Sequence, residues 1–215
     1  GVRPGSPFIY NIPATGKRPM TFTATGLPHG LKIDANTGRI TGTLIKPGKF
    51  TVVFGATNAM GKSEKKFTIV VGEDIALTPP MGWNSYNVYG EGVDHDKAMH
   101  AANAMVKFHL NDHGWTYINC DDGWQGIRNP KTLALQTEPQ RFTDMKAYID
   151  EIHALGLKAG LYSSPWIKTY GGRMGGSSQN ADGTRDSTWN KNAPHNQKKF
   201  PFAIGKYTFA TQDAQ

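Results

Sequence analysis

Cysteine is nearly missing from this chain. Cys120 stands alone, so no intrachain disulfide can form and packing alone must hold the fold. Long apolar runs are missing as well: none approaches the length that spans a bilayer. No secretory leader is visible, so a targeting segment was removed or never present, and location has to be read from other clues. Acidic residues are scarce at the front. Residues 1–72 hold ten Lys/Arg against two Asp/Glu, a net of +8, while the remainder holds fourteen against fifteen, so the whole-chain excess of +7 sits in the front segment. Two domains of different chemistry follow. The front segment also lacks what a nucleic-acid binder needs, a basic tract or a basic stripe interleaved with aromatics, because its Lys and Arg are scattered singly. They read as a solvated β surface, where lysines discourage edge-to-edge aggregation.

What is present in residues 1–72 is alternation. Phe50, Val52 and Phe54 alternate with Thr51 and Val53, and Phe67, Ile69 and Val71 alternate with Thr68 and Val70, the period of half-buried strands. Gly26-Leu-Pro-His-Gly30, Asp34-Ala-Asn-Thr-Gly38, Lys46-Pro-Gly-Lys49 and Asn58-Ala-Met-Gly61 supply turn residues between the runs. A small antiparallel sandwich is expected, with Phe22, Phe50, Phe54 and Phe67 in its core. The string GLPHGLKIDANTGRITGTLIKPGKFTVVFGATNAMG resembles the Ig-like modules attached to bacterial secreted and surface enzymes, over most of residues 8–71. The resemblance implies an Ig-like β-sandwich at 1–72, a linker at 73–77, and a second domain at 78–215.

In the second segment the rhythm changes. A strand-like stretch at Met81 to Tyr86 precedes a helix from about Asp94 with Ala98, Ala101, Ala102, Met105 and Phe108 on one face, ending by Gly114. A strand at Thr116 to Asp121 follows, then a loop. A second helix comes next, with Met145, Tyr148, Ile149, Ile152 and Leu155 at helical spacing and Gly156 as its stop, and a third strand runs Leu157 to Tyr162. The strand starts lie 35 and 41 residues apart, which suits βα units and a parallel sheet. A complete (β/α)8 barrel needs about 250 residues, so this is either a small open sheet or the first part of such a barrel.

Parallel α/β folds bind ligands at the carboxyl ends of their strands, and polar residues gather there: Asn84 and Tyr86, then Asp121 and Asp122, then Tyr162 and Ser163. Any one of them could simply satisfy backbone groups; three strand ends together point to a pocket. Adjacent aspartates on a regular strand point to opposite faces, which makes them a poor acid and nucleophile pair, since in retaining glycosidases those carboxyls face each other at about 5 to 5.5 Å. As acceptors for neighbouring sugar hydroxyls they are well suited. A divalent metal is the competing reading, weakened by the lack of further acidic residues close in sequence.

TPPMGWNSYN at 78–87, YINCDDGWQG at 117–126 and FTDMKAYIDEIHALGLKAGLYSS at 142–164 resemble successive blocks of the α-galactosidase (melibiase) family, family 27 of the glycoside hydrolases. The resemblance implies the first three or so βα units of a (β/α)8 barrel, hydrolysis of terminal α-galactosides with retention through a covalent intermediate, and no cofactor or metal. It also assigns substrate-binding roles. Asp121 and Asp122 match the pair that holds the sugar's O4 and O6 hydroxyls, and Tyr162 a tyrosine lining the pocket. Tyr86 stands where the family has a larger aromatic against the sugar, and Tyr170 where many relatives have a pocket cysteine. The nucleophile and acid/base are expected beyond Gln215, in a YLKYD-like motif and later, so the chain reads as an inactive fragment that needs the rest of its barrel. Asp213 is expected in a helix.

Residues 163–206 are longer than an ordinary βα loop and rich in Gly, Ser, Asn and Lys. There Trp166, Tyr170 and Trp189 either form a subsite for a neighbouring sugar or pin the loop. His109 and His113 have a metal-helix spacing, but Leu110 stands where a metalloprotease needs Glu, and a polar helix surface is the better reading. Cys120 reads as a buried, inert thiol with a raised pKa. Two rivals stand beside the enzyme reading: an adhesion module whose basic front domain grips a polysaccharide, and an open α/β domain with a metal at the aspartates. The expected partner is an α-linked oligo- or polysaccharide, with no nucleic acid and no membrane span. The module arrangement implies a secreted, periplasmic or cell-surface bacterial setting.

Overall fold

The computed structural model describes residues 1–75, 77–132, 134–164 and 168–176. The chain folds as two compact units. One comprises Gly1–Trp83, His100–Ile118 and Asp150–Ala159; the other comprises Asn84–Met99, Asn119–Ile149 and the described residues from Gly160 onward.

In the first unit six strands form two antiparallel sheets. β1 (Pro7–Asn11), β4 (Arg39–Thr43) and β3 (Leu31–Ile33) make one, in the order β1-β4-β3, and β2 (Thr21–Thr25), β5 (Gly48–Asn58) and β6 (Gly61–Val71) make the other, in the order β2-β5-β6. Alternation decides which side chains go inside. Phe22, Ile40, Leu44, Val52, Phe54, Ile69 and Val71 are buried, with Phe50 and Phe67 packed against them, and each such side chain contributes about 1.5 to 3 kcal/mol by leaving water. The four phenylalanines expected in the core are there. β6 is an edge strand, and Lys62, Lys65 and Lys66 stand exposed on it, in keeping with the protective role read from the sequence.

The second segment alternates strands and helices: β7 (Gly82–Asn84), a short α1 (Tyr86–Tyr89), α2 (His95–Lys107), β8 (Tyr117–Cys120), α3 (Met145–Ala154) and β11 (Lys158–Leu161). Sheet order is β11-β8-β7. Bonds join Thr116 N to Met81 O and Lys158 N to Thr116 O at the strand starts, and Ser85 N to Asn119 O and Tyr162 N to Cys120 O at the ends, a register that climbs in the same direction on all three strands. They are therefore parallel, with β8 central. Asp94 caps α2 by accepting from Lys97 N at 2.9 Å, and Asp144 caps α3 by accepting from Ala147 N at 3.0 Å. Gly156, at φ +82°, closes α3 in the left-handed conformation expected of a helix stop.

Three local expectations differ from the structure. Phe108 is 67% exposed: α2 ends at Lys107 and His109 turns left-handed at φ 60°, so Phe108, its amide still bonded to the Ala104 carbonyl, stands at the helix end with its ring in solvent. The same turn separates His109 from His113, which lies in a 3₁₀ segment at Leu110–His113, so the two imidazoles share no α-helical face. The stretch after β8 holds a hairpin of β9 (Gln125–Arg128) and β10 (Leu135–Thr137), paired antiparallel, where a loop was expected. Asn129-Pro130 was the sequence signal for its turn.

Candidate active site

The carboxyl ends of the three parallel strands carry the candidate residues. β7 is short because the Asn84 side chain turns the backbone: its Oδ1 accepts the Tyr86 amide at 3.0 Å, and Tyr86 opens α1 instead of extending the strand. The same side-chain amide reaches β8, with Asn84 Nδ2 donating to Asp121 Oδ2 at 2.8 Å. Ser85, fully buried, accepts the Asp121 amide on its hydroxyl at 2.9 Å. Side chains at the end of β7 thus fix the first aspartate, whose other oxygen accepts the Asp122 amide at 2.7 Å. Tyr86 itself is 40% exposed.

The two aspartates are not equivalent. Asp121 is partly exposed, whereas Asp122 is 1% exposed. Both oxygens of Asp122 are engaged: Oδ1 accepts the Thr169 hydroxyl at 2.7 Å and Oδ2 accepts the Gly171 amide at 2.6 Å. Neighbours in sequence leave the strand on different sides, and here one faces outward while the other holds a loop.

That loop, residues 168–174, folds back on itself. Lys168 and Met174 form an antiparallel bridge. Thr169 N donates to Arg173 O at 2.9 Å, and the Thr169 hydroxyl oxygen accepts Arg173 N at 3.0 Å. Arg173 Nε reaches Glu91 Oε2 at 2.8 Å, and Arg141 Nη1 donates to the Glu91 carbonyl and, at 2.8 Å, to the Gly123 carbonyl. Gly123 is required where it sits: its φ is +119°, and a Cβ would run into the Glu91 backbone. The loop presents Tyr170, 55% exposed.

Tyr162 leads on from β11 into the same cluster. Its carbonyl accepts Trp124 Nε1 at 2.8 Å and Gln125 Nε2 at 3.2 Å. Burial raises the pKa of its hydroxyl; a hydrogen bond with the Tyr170 backbone works the other way, and the negative charges of Asp122 and Asp121 add to the rise. Tyr162 therefore lies within electrostatic reach of three other predicted binding residues, Asp121, Asp122 and Tyr170. The fifth, Tyr86, is joined to Asp121 through Asn84. Ser163 is exposed beside them. Sequence reading missed Thr169, Glu91, Arg141 and Arg173, which stand far apart in the chain and follow no spacing rule. Trp166, Trp189 and Asp213 lie outside the described residues.

Cys120, one residue before the pair, is fully buried, with its Sγ 3.2 Å from the Tyr148 hydroxyl. Burial pushes its pKa up to about 11, although the Tyr148 hydrogen bond opposes the rise. This is the inert thiol that the sequence implied. Among the described residues no group of three or more His, Cys, Asp or Glu is placed to hold a metal ion.

Comparison with known proteins matches both parts of the chain. A model of the Alpha galactosidase A family matches residues 78–192, and a model of an Ig domain matches residues 1–72. Alpha-galactosidase A of Cellvibrio japonicus is 43% identical over 104 residues, which cover 48% of this chain and 26% of that protein. Two crystal structures from Bacteroides fragilis, of proteins assigned as an α-galactosidase and an α-galactosidase/melibiase, are similar with TM-scores of 0.75 and 0.74 at 40% and 38% identity; they cover 81% and 80% of this chain, which in turn covers 37% of each of them. The chain spans about a quarter of the length of the curated relatives it matches.

Proposed function

The chain belongs to the α-galactosidase family, as an Ig-like all-β domain followed by the first part of the family's (β/α)8 domain, and from that membership we propose that it forms the sugar-binding half of a glycosidase that hydrolyses terminal α-galactosides or closely related sugars with retention. The observation that carries the proposal is the convergence of Asp121, Asp122, Tyr162 and Tyr170 at the carboxyl ends of parallel strands, where α/β folds bind their ligands. Asp121, fixed by Asn84 and Ser85 yet still open to solvent, accepts hydroxyl groups of the terminal ring. Asp122 keeps lone pairs beyond the two that the loop occupies, since an ionised carboxylate has about four acceptor sites. Tyr86 and Tyr162 supply flat apolar surface to the ring, and Tyr170 borders it.

Double displacement needs two facing carboxyls about 5 to 5.5 Å apart. Asp121 and Asp122 do not serve as that pair: one carboxylate is engaged with the loop and the other is held by Asn84. The nucleophile and acid/base therefore come from other strand ends of the barrel, and residues 1–215 alone do not turn over substrate. The same module order supports a secreted, periplasmic or cell-surface location. The test is hydrolysis of an aryl α-galactoside by the complete protein, with product anomers followed by NMR. Retention of configuration and a loss of about a hundredfold in kcat/KM for Asp121→Asn are expected. An inverted first product, or a rate indifferent to Asp121→Asn, would sink the proposal.

A further inference from the structure

We propose that the front domain carries a separate binding groove for an acidic glycan, a chain segment with uronic-acid or sulfated rings. The inference rests on a cavity of about 710 Å³ whose lining includes Tyr10, Met20, Phe54, Phe67 and Lys65. It arises from a mismatch of strand lengths. β5 and β6 are eleven residues each, whereas β1, β4 and β3 of the facing sheet are five, five and three, so the inward face of the β5–β6 hairpin runs on past the sheet that covers it.

The register identifies that face. Directly opposed residues of an antiparallel pair share a face, and the pairs Val52–Phe67, Phe54–Lys65, Ala56–Ser63 and Asn58–Gly61 form one row running from the core to the hairpin tip. Three rings make the floor: Tyr10 and Phe67 lie 4.7 Å apart, Phe54 and Phe67 4.8 Å, and Tyr10 and Phe54 5.7 Å between centroids. Tyr10 and Phe67 keep part of their surface accessible, and such rings are the apolar platforms on which sugar faces stack. Asn58 Nδ2, donating to Lys17 O at 2.8 Å, ties the hairpin tip to the segment after β1 and closes one end of the groove.

Charge selects the occupant. Lys65 stands exposed on the groove row beside Phe54. Of the other charged residues lining the groove, Glu64 is engaged by Lys62 at 2.6 Å, which neutralises the one acidic group there, and Lys66 adds a second exposed positive charge. The domain holds ten basic residues against two acidic ones, so its field draws polyanions. A lysine there also blunts the β6 edge, but edge protection requires neither a ring-floored cavity beneath it nor a closed end.

The groove belongs to the front domain alone and does not depend on the glycosidase reading, so either can fail without the other. The test uses the whole chain, titrated by NMR and calorimetry with tetragalacturonate and, in parallel, with a neutral galactotetraose. Expected are shifts of the Tyr10 and Phe67 ring resonances with tetragalacturonate, weakening with added salt, and affinity about tenfold lower in Lys65→Glu. Lys32→Glu, at an exposed lysine of β3 outside the groove lining, should leave the affinity within about twofold. Ser63→Trp, which fills the groove from an exposed position, should abolish binding while leaving the fold intact by circular dichroism. Absence of binding at millimolar ligand, equal affinity for the neutral sugar, equal loss in Lys32→Glu and Lys65→Glu, or a dimer that buries the Tyr10 ring would each overturn the proposal.

Discussion

The Thr169 hydroxyl donates to Asp122 Oδ1 at 2.7 Å while its oxygen accepts the Arg173 amide, and the side chain is fully buried. A single hydroxyl thereby links the second aspartate to both ends of the turn that presents Tyr170. Thr169→Val keeps the shape and removes the donor, leaving one buried carboxylate oxygen short of a partner, at a cost of about 1 to 3 kcal/mol. The expected result is a Tm lowered by about 2 to 12 °C, with Thr169→Ser close to the parent. Equal Tm values for the Val and Ser variants would show that the hydroxyl carries nothing.

The front domain reaches the end of α3. Asn11 Nδ2 donates to the Gly156 carbonyl at 2.7 Å and Arg39 Nη1 to the Ala154 carbonyl at 2.8 Å, so two side chains of the β-sandwich satisfy an open carbonyl at the end of α3 and one in the turn after it. Arg39→Ala together with Asn11→Ala should destabilise the chain by about 2 kcal/mol in urea unfolding. Gly156→Ala should cost at least as much, because its φ is +82° and a Cβ would stand 2.6 Å from Arg39 Nε. Unchanged midpoints would show that these contacts do not stabilise the fold.

Asp94 supplies a pH dependence whose sign can be stated. Burial by itself would raise its pKa, but hydrogen bonds from the Lys97 side chain and amide, with the Lys97 and Arg141 charges, bring the net value below the ordinary 3.8. The folded state therefore binds this proton less tightly than the unfolded chain. Its contribution is complete above the ordinary value and drains away as pH falls through the lowered one. Asp94→Asn, which keeps a capping oxygen, should lose less stability than the parent on acidification below about pH 4. Parallel acid-unfolding curves for the two proteins would contradict this.

Cys120 should resist thiol reagents in the folded chain. With its pKa near 11 and no exposed surface, its modification by a maleimide at pH 8 is expected to be at least a hundredfold, on the order of magnitude, slower than that of a free thiol. Full reactivity should return in denaturant. Fast labelling of the native chain would place the sulfur outside the core.

Much of this was legible in the chain itself, because periodicity and turn chemistry are local. Phe50, Val52 and Phe54 had to share a face, Gly156 had to stop a helix, and Asp121 and Asp122 had to leave one strand end together whatever the rest did. Phe108 marks the limit of that logic: its spacing continues the α2 face, but it stands at the helix end beside the left-handed turn at His109, and its ring is exposed.

Tertiary structure alone decided how the two aspartates divide their work. Thr169 and Gly171 lie 47 and 49 residues from Asp122, and Arg173 lies 82 from Glu91. Hydrogen bonds over such separations follow from where strand ends and loops come to rest, which no local pattern encodes. The sequence determined which residues reach the strand ends; only folding determined that Asp121 would stay open to solvent and Asp122 would be buried beneath a loop.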